Sequence, residues 1–259
     1  MNYMSPDNKW IGKPTIRPDG IEKVTGSAQY AADYTMPGMV WGKVLRSPHA
    51  HALIKKIDTS KAEALQGVLA VMTGADLPTL PLDVPLPTGP NDIRWISRGC
   101  MAQEKILYVG HPIAAVAATS QEIAIAALDL IEVDYEVLPH VIDVDEAVAP
   151  GAPILHDWIK TEGIDGPTNI SNIMTVKTGD VEKGFGEADL VVERDFKSAA
   201  VHQGYLEPQS CVVSYKPDSQ STIWSSSQGQ FMVRGLTATI TGMATGDIKA
   251  IPAEIGGGF

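Results

Sequence analysis

A strand–helix–strand pattern at residues 113–137 constrains the fold more than any other stretch of this chain. The apolar run 113–118 is followed by Ser120, a favoured N-cap residue, and by apolar residues at helical spacing between Ile123 and Leu130. Residues 131–137 then alternate between apolar and polar side chains, which is typical of a strand with one exposed face. The pattern therefore predicts an α/β unit in the first half of the chain.

Strand-like runs also occur on both sides of this unit. In the first half they are residues 39–47, 52–57 and 67–72, with one or two helical turns at 59–65. In the second half they are residues 172–177, 190–196, 210–215, 221–225 and 248–251, with a helix at 227–242. Residues 77–91 contain five prolines and are expected to form a surface loop.

The spacing of these elements predicts a mixed α+β chain in four parts. We expect an extended arm at residues 1–19, an α/β domain at 20–142, a proline- and glycine-bearing acidic linker at 143–166, and a second domain at 167–259. A chain of 259 residues is long enough to bury a substantial core in either one large or two ordinary domains.

Charge and cysteine content exclude several classes of protein. The formal net charge is −11, so no basic surface is available for nucleic acid. Cys100 and Cys211 lie far apart without metal-type spacing, which excludes a zinc site, an iron–sulfur cluster and a disulfide framework. No apolar run approaches the ~18 residues of a membrane span, and the polar N-terminal residues carry no secretory signal. We therefore expect a cytoplasmic protein.

Two sequence features could belong to a binding site. Gly256, Gly257 and Gly258 would let the backbone turn tightly or pass in van der Waals contact with a ligand, although an ordinary turn has the same sequence. His49 and His51 are two residues apart and would share one face of a strand, as a metal-binding pair does. No third ligand is evident beside them, so we assign the two histidines to the scaffold.

Six short motifs, in order, together resemble one family. The chain is similar to the molybdopterin-binding large subunit of the xanthine dehydrogenase/aldehyde oxidase family of molybdenum hydroxylases, from about residue 11 to residue 259. The motifs are residues 46–52 (RSPHAHA), 110–117 (GHPIAAVA), 133–139 (VDYEVLP), 202–208 (HQGYLEP), 228–229 (QG) and 255–259 (IGGGF).

This resemblance implies an α/β hammerhead domain followed by the first part of an α+β molybdopterin-binding domain. In that family a heterocycle or an aldehyde is oxidised with oxygen from water, and electrons leave through 2Fe–2S clusters to FAD. The resemblance therefore implies a molybdenum–molybdopterin cofactor, an iron–sulfur subunit and an FAD subunit as partners, and a dimer of heterotrimers. It leaves open the substrate and whether the pterin carries a cytosine nucleotide.

The resemblance also implies which residues contact the cofactor. Gln228, followed by Gly229, would bring its side-chain amide towards an oxygen ligand of molybdenum, as suits a neutral donor and acceptor. The family has a glutamine about thirty residues before the Phe of its glycine loop, and here the separation is 259 − 228 = 31. Gly257 and Gly258 would let the chain pass close to the pterin, and the backbone N–H of Phe259 would point at the metal centre. Taken alone, Gln228 could equally satisfy backbone groups at a helix start.

Three further residues of the 202–208 motif are expected to support the cofactor without ligating it. Glu207, flanked by apolar residues and a proline, could have a raised pKa and act as a base. By resemblance, however, Glu207 supports the cofactor rather than transferring a proton. His202 and Gln203 are expected to pack around the same site.

No catalytic residue is expected within these 259 residues, because the general-base glutamate of the family lies in the later part of its large subunit. We therefore expect the chain to be the N-terminal portion of a catalytic subunit and to be inactive alone. One alternative is a non-catalytic cofactor-binding or assembly module that a second chain completes. A non-redox metabolic α/β protein is a more distant alternative.

Overall fold

The computed structural model describes residues 9–78, 93–158 and 161–258. These residues form helices and sheets in a mixed order, in agreement with the expected α+β class. The strands are β1 (Trp41–Arg46), β2 (Ala52–Asp58), β3 (Val68–Thr73), β4 (Lys105–Ile106), β5 (Pro112–Ala118), β6 (Glu132–Val137), β7 (Cys211–Ser214), β8 (Ser221–Ser225) and β9 (Ile248–Pro252). The α-helices are α1 (Gly20–Thr25), α2 (Ser60–Glu63), α3 (Ile93–Cys100), α4 (Gln121–Leu128), α5 (Val144–Ala147), α6 (Val181–Gly186) and α7 (Gln230–Thr241).

The chain divides into two compact units that are not continuous in sequence. The first unit combines the described residues before Met36 with residues 202–235 and the described residues from Met243 onward. The second unit contains the described residues between Met36 and Val201, together with residues 236–242. Helix α7 therefore contributes residues to both units.

Two three-stranded antiparallel sheets build the second unit. The strand order is β1-β5-β3 in one sheet and β4-β2-β6 in the other. Helix α4 packs against β1 and β5, and the Ser120 hydroxyl caps it by accepting a hydrogen bond from the N–H of Ile123 at 3.2 Å. The predicted strand–helix–strand pattern is thus confirmed as β5, α4 and β6.

The core of the second unit consists mainly of small and β-branched side chains. Alanine at many of these positions lets the helices approach the sheets closely, and bulkier neighbours fill the remaining space. The buried members are Ala62, Ala114, Val116, Ala127 and Ile131 in one cluster and Ala52, Ala102, Ile106 and Ile113 in the other.

A third sheet, with the order β7-β8-β9, belongs to the first unit. Strand β7 is antiparallel to β8, whereas β9 is parallel to β8. Parallel neighbours require a crossover connection, and helix α7 lies in that connection. The strands were predicted from the sequence, but the parallel pairing was not.

Two predicted strands do not form. Residues 172–177 and 190–196 have strand-like composition, but the structure shows no pairing for either run. Their apolar side chains are solvent-exposed, with Val176 83% and Phe196 92% accessible. Strand propensity without a partner does not produce a strand, because the backbone hydrogen bonds and packing that stabilise a strand come from its neighbours.

Two helices were not predicted, and parts of two predicted segments lie outside the described residues. The helix α3 and the helix α6 were not anticipated from the sequence. Most of the expected proline-rich loop at 77–91 lies outside the described residues, as does the start of the N-terminal arm. No helix in the described ranges combines the length and the hydrophobicity needed to cross a bilayer.

Candidate functional site

The candidate site is at the carboxyl ends of the two parallel strands of the first unit. Ser225, the last residue of β8, is paired with Pro252, the last residue of β9. Three residues beyond Ser225 the chain reaches Gln228, and four beyond Pro252 it reaches Gly256. Because parallel strands end at the same edge of a sheet, these two loops lie side by side, where open α/β sheets bind ligands.

The Gln228 side chain lies directly against the glycine loop. A Cβ atom placed on Gly258 would be 3.3 Å from Cδ and 3.4 Å from Nε2 of Gln228. The absence of a side chain at Gly258 therefore leaves room for the Gln228 amide. This contact brings together two residues that were each expected to lie near the cofactor.

Glu207 holds the first glycine of the loop. The backbone N–H of Gly256 donates a hydrogen bond to Oε2 of Glu207. A Cβ atom on Gly256 would come within 2.6 Å of the Cβ of Glu207, so the two residues are in close contact. The other carboxylate oxygen, Oε1, is buried and has no hydrogen-bond partner within the described part of the chain.

A cleft of about 290 Å³ opens at this point, and most of its lining side chains are polar. Glutamine, tyrosine and serine groups surround the Glu207 carboxylate and can donate or accept hydrogen bonds. The polar members are Gln203, Tyr205, Glu207, Gln209, Ser210, Ser226 and Gln228. The Gln209 amide also donates to the Tyr205 hydroxyl at 2.8 Å, which orders the opposite wall.

The residues that lead into the glycine loop are anchored to the N-terminal part of the first unit. The Ser226 hydroxyl donates to the carbonyl of Glu254 at 2.7 Å. The N–H of Glu254 donates to the carbonyl of Gln29 at 3.0 Å. The Lys23 ammonium lies 2.8 Å from the Glu254 carboxylate, and this hydrogen bond raises the pKa of Lys23. These contacts fix the course of the backbone before Gly256.

Not every residue expected at the site lies in the cleft. Gln228, Gly257, Gln203 and Glu207 line it. Gly258 contacts Gln228, and the N–H of Gly229 donates to the Ser227 hydroxyl at 3.1 Å beside it.

His202 is exposed and is not among the lining residues; its Nδ1 accepts from the N–H of Gly204 at 2.9 Å, and its ring lies 5.1 Å from that of Tyr205. Phe259 lies outside the described residues.

The structure adds Tyr205, Gln209, Ser210, Ser226 and Gly256 to the site. Gly256 belongs to the glycine triplet and Tyr205 to the 202–208 motif, so both carried a sequence signal. Ser226 and Gln209 carried none, since serine and glutamine in a loop have many roles. Ser226 follows β8 and Gln209 precedes β7, so both residues reach the cleft only because these two strands pair.

The paired histidines do not form a metal site. The His49 ring contacts Tyr135 at 4.9 Å, whereas Nδ1 of His51 lies 2.7 Å from the carbonyl of Pro139. Over the described ranges, no group of three or more His, Cys, Asp and Glu side chains is arranged to hold a metal ion.

The residues at the cleft suit a large polar cofactor that carries its own metal. Glycines against Gln228 and Glu207 leave the backbone accessible, and the amide of Gln228 is a neutral donor and acceptor. The unpartnered Oε1 of Glu207 gives the cleft an unused acceptor for an N–H of a ligand.

Two family models match most of the chain. Residues 25–139 match the aldehyde oxidase and xanthine dehydrogenase a/b hammerhead domain. Residues 164–259 match the molybdopterin cofactor-binding domain. The second match contains every residue of the cleft described above.

Curated relatives are considerably longer than this chain. The carbon monoxide dehydrogenase large chain of Afipia carboxidovorans is 38% identical over 96% of this chain, which spans 31% of that relative. The nicotinate dehydrogenase large molybdopterin subunit of Eubacterium barkeri is 32% identical over 99% of this chain and 56% of that relative. A probable hypoxanthine oxidase of Escherichia coli K12 is 33% identical over 98% of this chain and 29% of that relative.

Solved structures of the same kind share the fold. The reconstituted CO dehydrogenase from Oligotropha carboxidovorans superposes with a TM-score of 0.75 at 36% identity, over 96% of this chain and 31% of that one. Quinoline 2-oxidoreductase from Pseudomonas putida 86 superposes with a TM-score of 0.76 at 28% identity, over the same shares, 96% and 31%.

Proposed function

Because the chain belongs to the xanthine dehydrogenase/aldehyde oxidase family of molybdopterin-binding large subunits, we propose that its first unit forms one wall of a molybdenum–molybdopterin site in a catalytic subunit. The observation that carries this proposal is the contact between Gln228 and Gly258 at the ends of two parallel strands. The family match supports an enzyme of this class, and this contact is the reason for proposing that this surface faces the cofactor.

Gln228 would act as a neutral hydrogen-bonding group beside the metal centre. An amide can donate through Nε2 and accept through Oε1 without changing its charge at any ordinary pH. Gly258 leaves the space in which that amide sits. The backbone N–H groups of the glycine loop, with that of Phe259 after them, would supply further donors that do not titrate.

Glu207 would position the loop rather than take part in proton transfer. Its Oε2 is already committed to the N–H of Gly256, so this oxygen fixes the loop. Its free Oε1 would accept from an N–H of the pterin. His202, which does not line the cleft, would stabilise the turn that carries Gln203 and Glu207.

The whole protein that carries this chain would oxidise a heterocycle or an aldehyde-type substrate. When bound, the molybdenum centre supplies the two-electron oxidation: substrate C–H and water become C–OH, two protons and two electrons. The electrons would pass to 2Fe–2S clusters and FAD on partner subunits, within a dimer of heterotrimers in the cytoplasm. The pterin would be of the plain or the cytosine-dinucleotide form. The general-base glutamate is not among the residues of the cleft, so we propose that this chain alone is inactive.

The test is to replace Gln228 by Ala in the protein purified in its native assembly. We expect molybdenum and pterin to be retained, while turnover falls by about 10- to 100-fold, as for other groups that orient a metal centre. Molybdenum would be measured by mass spectrometry, pterin by fluorescence after oxidation, and turnover with an artificial electron acceptor. Gln220→Ala is the matched control, since the exposed Gln220 side chain lies outside the cleft and donates to the carbonyl of Gly246.

Two outcomes would contradict this proposal. An active wild-type preparation without molybdenum would exclude the cofactor. Full turnover in Gln228→Ala, equal to that of Gln220→Ala, would exclude the proposed role of the amide.

A second candidate is a non-catalytic cofactor-binding or assembly module that another chain completes. The observation in its favour is that the chain spans 56% of the nicotinate dehydrogenase subunit but 31% of the carbon monoxide dehydrogenase chain. Family members therefore carry this portion in polypeptides of different length. Mass spectrometry of the purified assembly separates the two candidates, because a module would be found with a separate polypeptide that carries the remainder of the large subunit.

A further inference from the structure

The second unit contains a cavity of about 480 Å³ that the proposed function does not use. Most of its wall is apolar or aromatic, including Trp95, Leu107, Val109, Ile142 and Leu155. Cavities of this size and composition are typical of small-molecule sites, in which a few polar groups set the orientation of the ligand.

Two histidines on the wall have unused hydrogen-bonding capacity. His51 is only 6% exposed, and its Nδ1 lies 2.7 Å from the carbonyl oxygen of Pro139. A carbonyl only accepts, so Nδ1 carries the proton and Nε2 of the neutral ring is an acceptor. That Nε2 is buried and has no partner in the described part of the chain, and the same is true of Nδ1 of His156.

Part of the cavity wall, around Ala147, Pro153 and Leu155, is held in place by Asn169. Its Nδ2 donates to the carbonyls of Ala147 and Pro153, both at 2.9 Å, and its Oδ1 accepts from the N–H of Leu155 at 2.9 Å. One side chain thereby ties three points of the segment that closes the cavity. Both amide hydrogens and one lone pair of its oxygen are used, so the main role of Asn169 is to shape the cavity.

An aromatic surface lies beside the free imidazole nitrogen of His156. The ring centroids of Trp95 and His156 are 4.8 Å apart with their planes inclined by 37°, and the Trp158 ring lies 6.2 Å from that of Trp95. Clustered aromatic rings favour a flat aromatic ligand, because offset and edge contacts between rings are attractive.

We propose that this cavity binds a small aromatic molecule with one hydroxyl group, which donates to Nε2 of His51 and accepts from Nδ1–H of His156. The mostly apolar wall disfavours strongly charged ligands, since they would lose part of their hydration on binding. The free acceptor, Nε2 of His51, requires a hydrogen-bond donor on the ligand. The aromatic rings of Trp95 and His156 favour a ligand with a flat ring. None of these residues belongs to the cofactor cleft, so the proposal does not depend on the proposed function.

The test compares two probes that differ by one hydroxyl group, 2-naphthol and naphthalene. Binding to the protein in its native assembly would be measured by equilibrium dialysis. We expect 2-naphthol to bind at least about 5-fold more tightly than naphthalene, the ratio that one net hydrogen bond provides. In His156→Phe and in His51→Phe the affinity for 2-naphthol should fall by about 5- to 20-fold, while that for naphthalene stays unchanged.

The matched control is His49→Phe, because the His49 ring contacts Tyr135 and does not line the cavity. Equal affinities for the two probes would overturn the proposal, as would an equal loss in His49→Phe. Absence of 2-naphthol binding would also overturn it and would mean that water or another part of the polypeptide fills the cavity. Should His51→Phe fail to fold, His156→Phe decides the question alone, since no hydrogen bond of the described structure depends on its Nδ1.

Discussion

Within the candidate site, the tightest steric constraint on a single residue is at Gly256. It faces the backbone-proximal part of Glu207, so a side chain there would collide with an atom that cannot swing away. Gly258 is less restricted, because the group it faces is the end of the flexible Gln228 side chain. The three glycines therefore have different roles, although they are indistinguishable in the sequence.

Replacing Gly256 by Ala should displace either the glycine loop or Glu207. The added Cβ would lie 2.6 Å from Cβ and 2.9 Å from Oε2 of Glu207. We expect a loss of about 1–3 kcal/mol in the free energy of unfolding, as for other overpacked sites, and a lower pterin content. Chemical denaturation and pterin fluorescence would measure the two effects.

Gly246→Ala is the control for this change, because a Cβ at Gly246 meets no atom within 4 Å. The explanation by steric overlap would be wrong if both variants lost the same stability and the same amount of pterin.

At the scale of elements, helices and strands differ in how well the sequence predicts them. Helix α4 was predicted with its cap and its flanking strands because all three signals are local. Residues 190–196 have an equally strand-like composition, yet Phe196 and its neighbours remain exposed and unpaired in the described structure. A helix satisfies its backbone within itself, whereas a strand depends on a neighbour that its own residues do not specify.

The cap of α4 provides a direct test of this local control. In Ser120→Ala the N–H of Ile123 loses its side-chain acceptor, so we expect a loss of about 1 kcal/mol in unfolding free energy. Ser120→Asp should retain most of the stability, because a carboxylate caps the same position and favours a helix N-terminus. Chemical denaturation of both variants would measure this difference. Equal losses in the two variants would show that the Ser120 hydroxyl does not act as a cap.

At the scale of the whole molecule, the second unit is expected to respond to acid. His111 is fully buried, with Nε2 donating to the carbonyl of Arg98 at 2.7 Å and Nδ1 accepting from the N–H of Leu107 at 3.2 Å. Burial lowers the pKa of His111. Burial also lowers the pKa of His156, and the positive charge of Lys105 lowers it further. Both rings are thus kept neutral in the folded unit.

Stability of the second unit should therefore fall as the pH drops below ~6.5, the pKa of an unfolded histidine. Below that pH the unfolded chain binds protons that the folded unit does not, so acid favours unfolding until the lowered folded-state pKa values are passed. Hydrogen exchange of peptides from β5 and α4 at pH 7.5 and 5.5, expressed as protection relative to the intrinsic exchange rate at each pH, would report the loss.

His111→Asn should be less stable at pH 7.5 and should show a weaker dependence on pH, because one of the two titrating rings is gone. Unchanged protection between the two pH values in the unaltered protein would contradict the expected uptake of protons on unfolding.

The sequence by itself determined the elements whose signals are local, the composition of the glycine loop and the likeness of six motifs to one family. It also indicated Gln228 and Glu207 as site residues, but through that likeness and not through any spacing that brings them together. Their position follows from the tertiary structure. Strands β8 and β9 pair in parallel, which leaves Gln228 and the glycine loop at one edge of the sheet. Strand β7 is antiparallel to β8, so Glu207, which precedes β7, comes to the same edge. Glu207 and Gly256 are 49 residues apart, and only folding makes them neighbours.

Tertiary structure alone also decided the role of His51. In the sequence it was one of two histidines on a supposed strand face, and in the structure it is a buried ring with one nitrogen satisfied and the other free. The physical reason is that burial and hydrogen bonding depend on what the rest of the chain places around a side chain. Residue type and spacing determine which chemistry is available, and packing determines which of it is used.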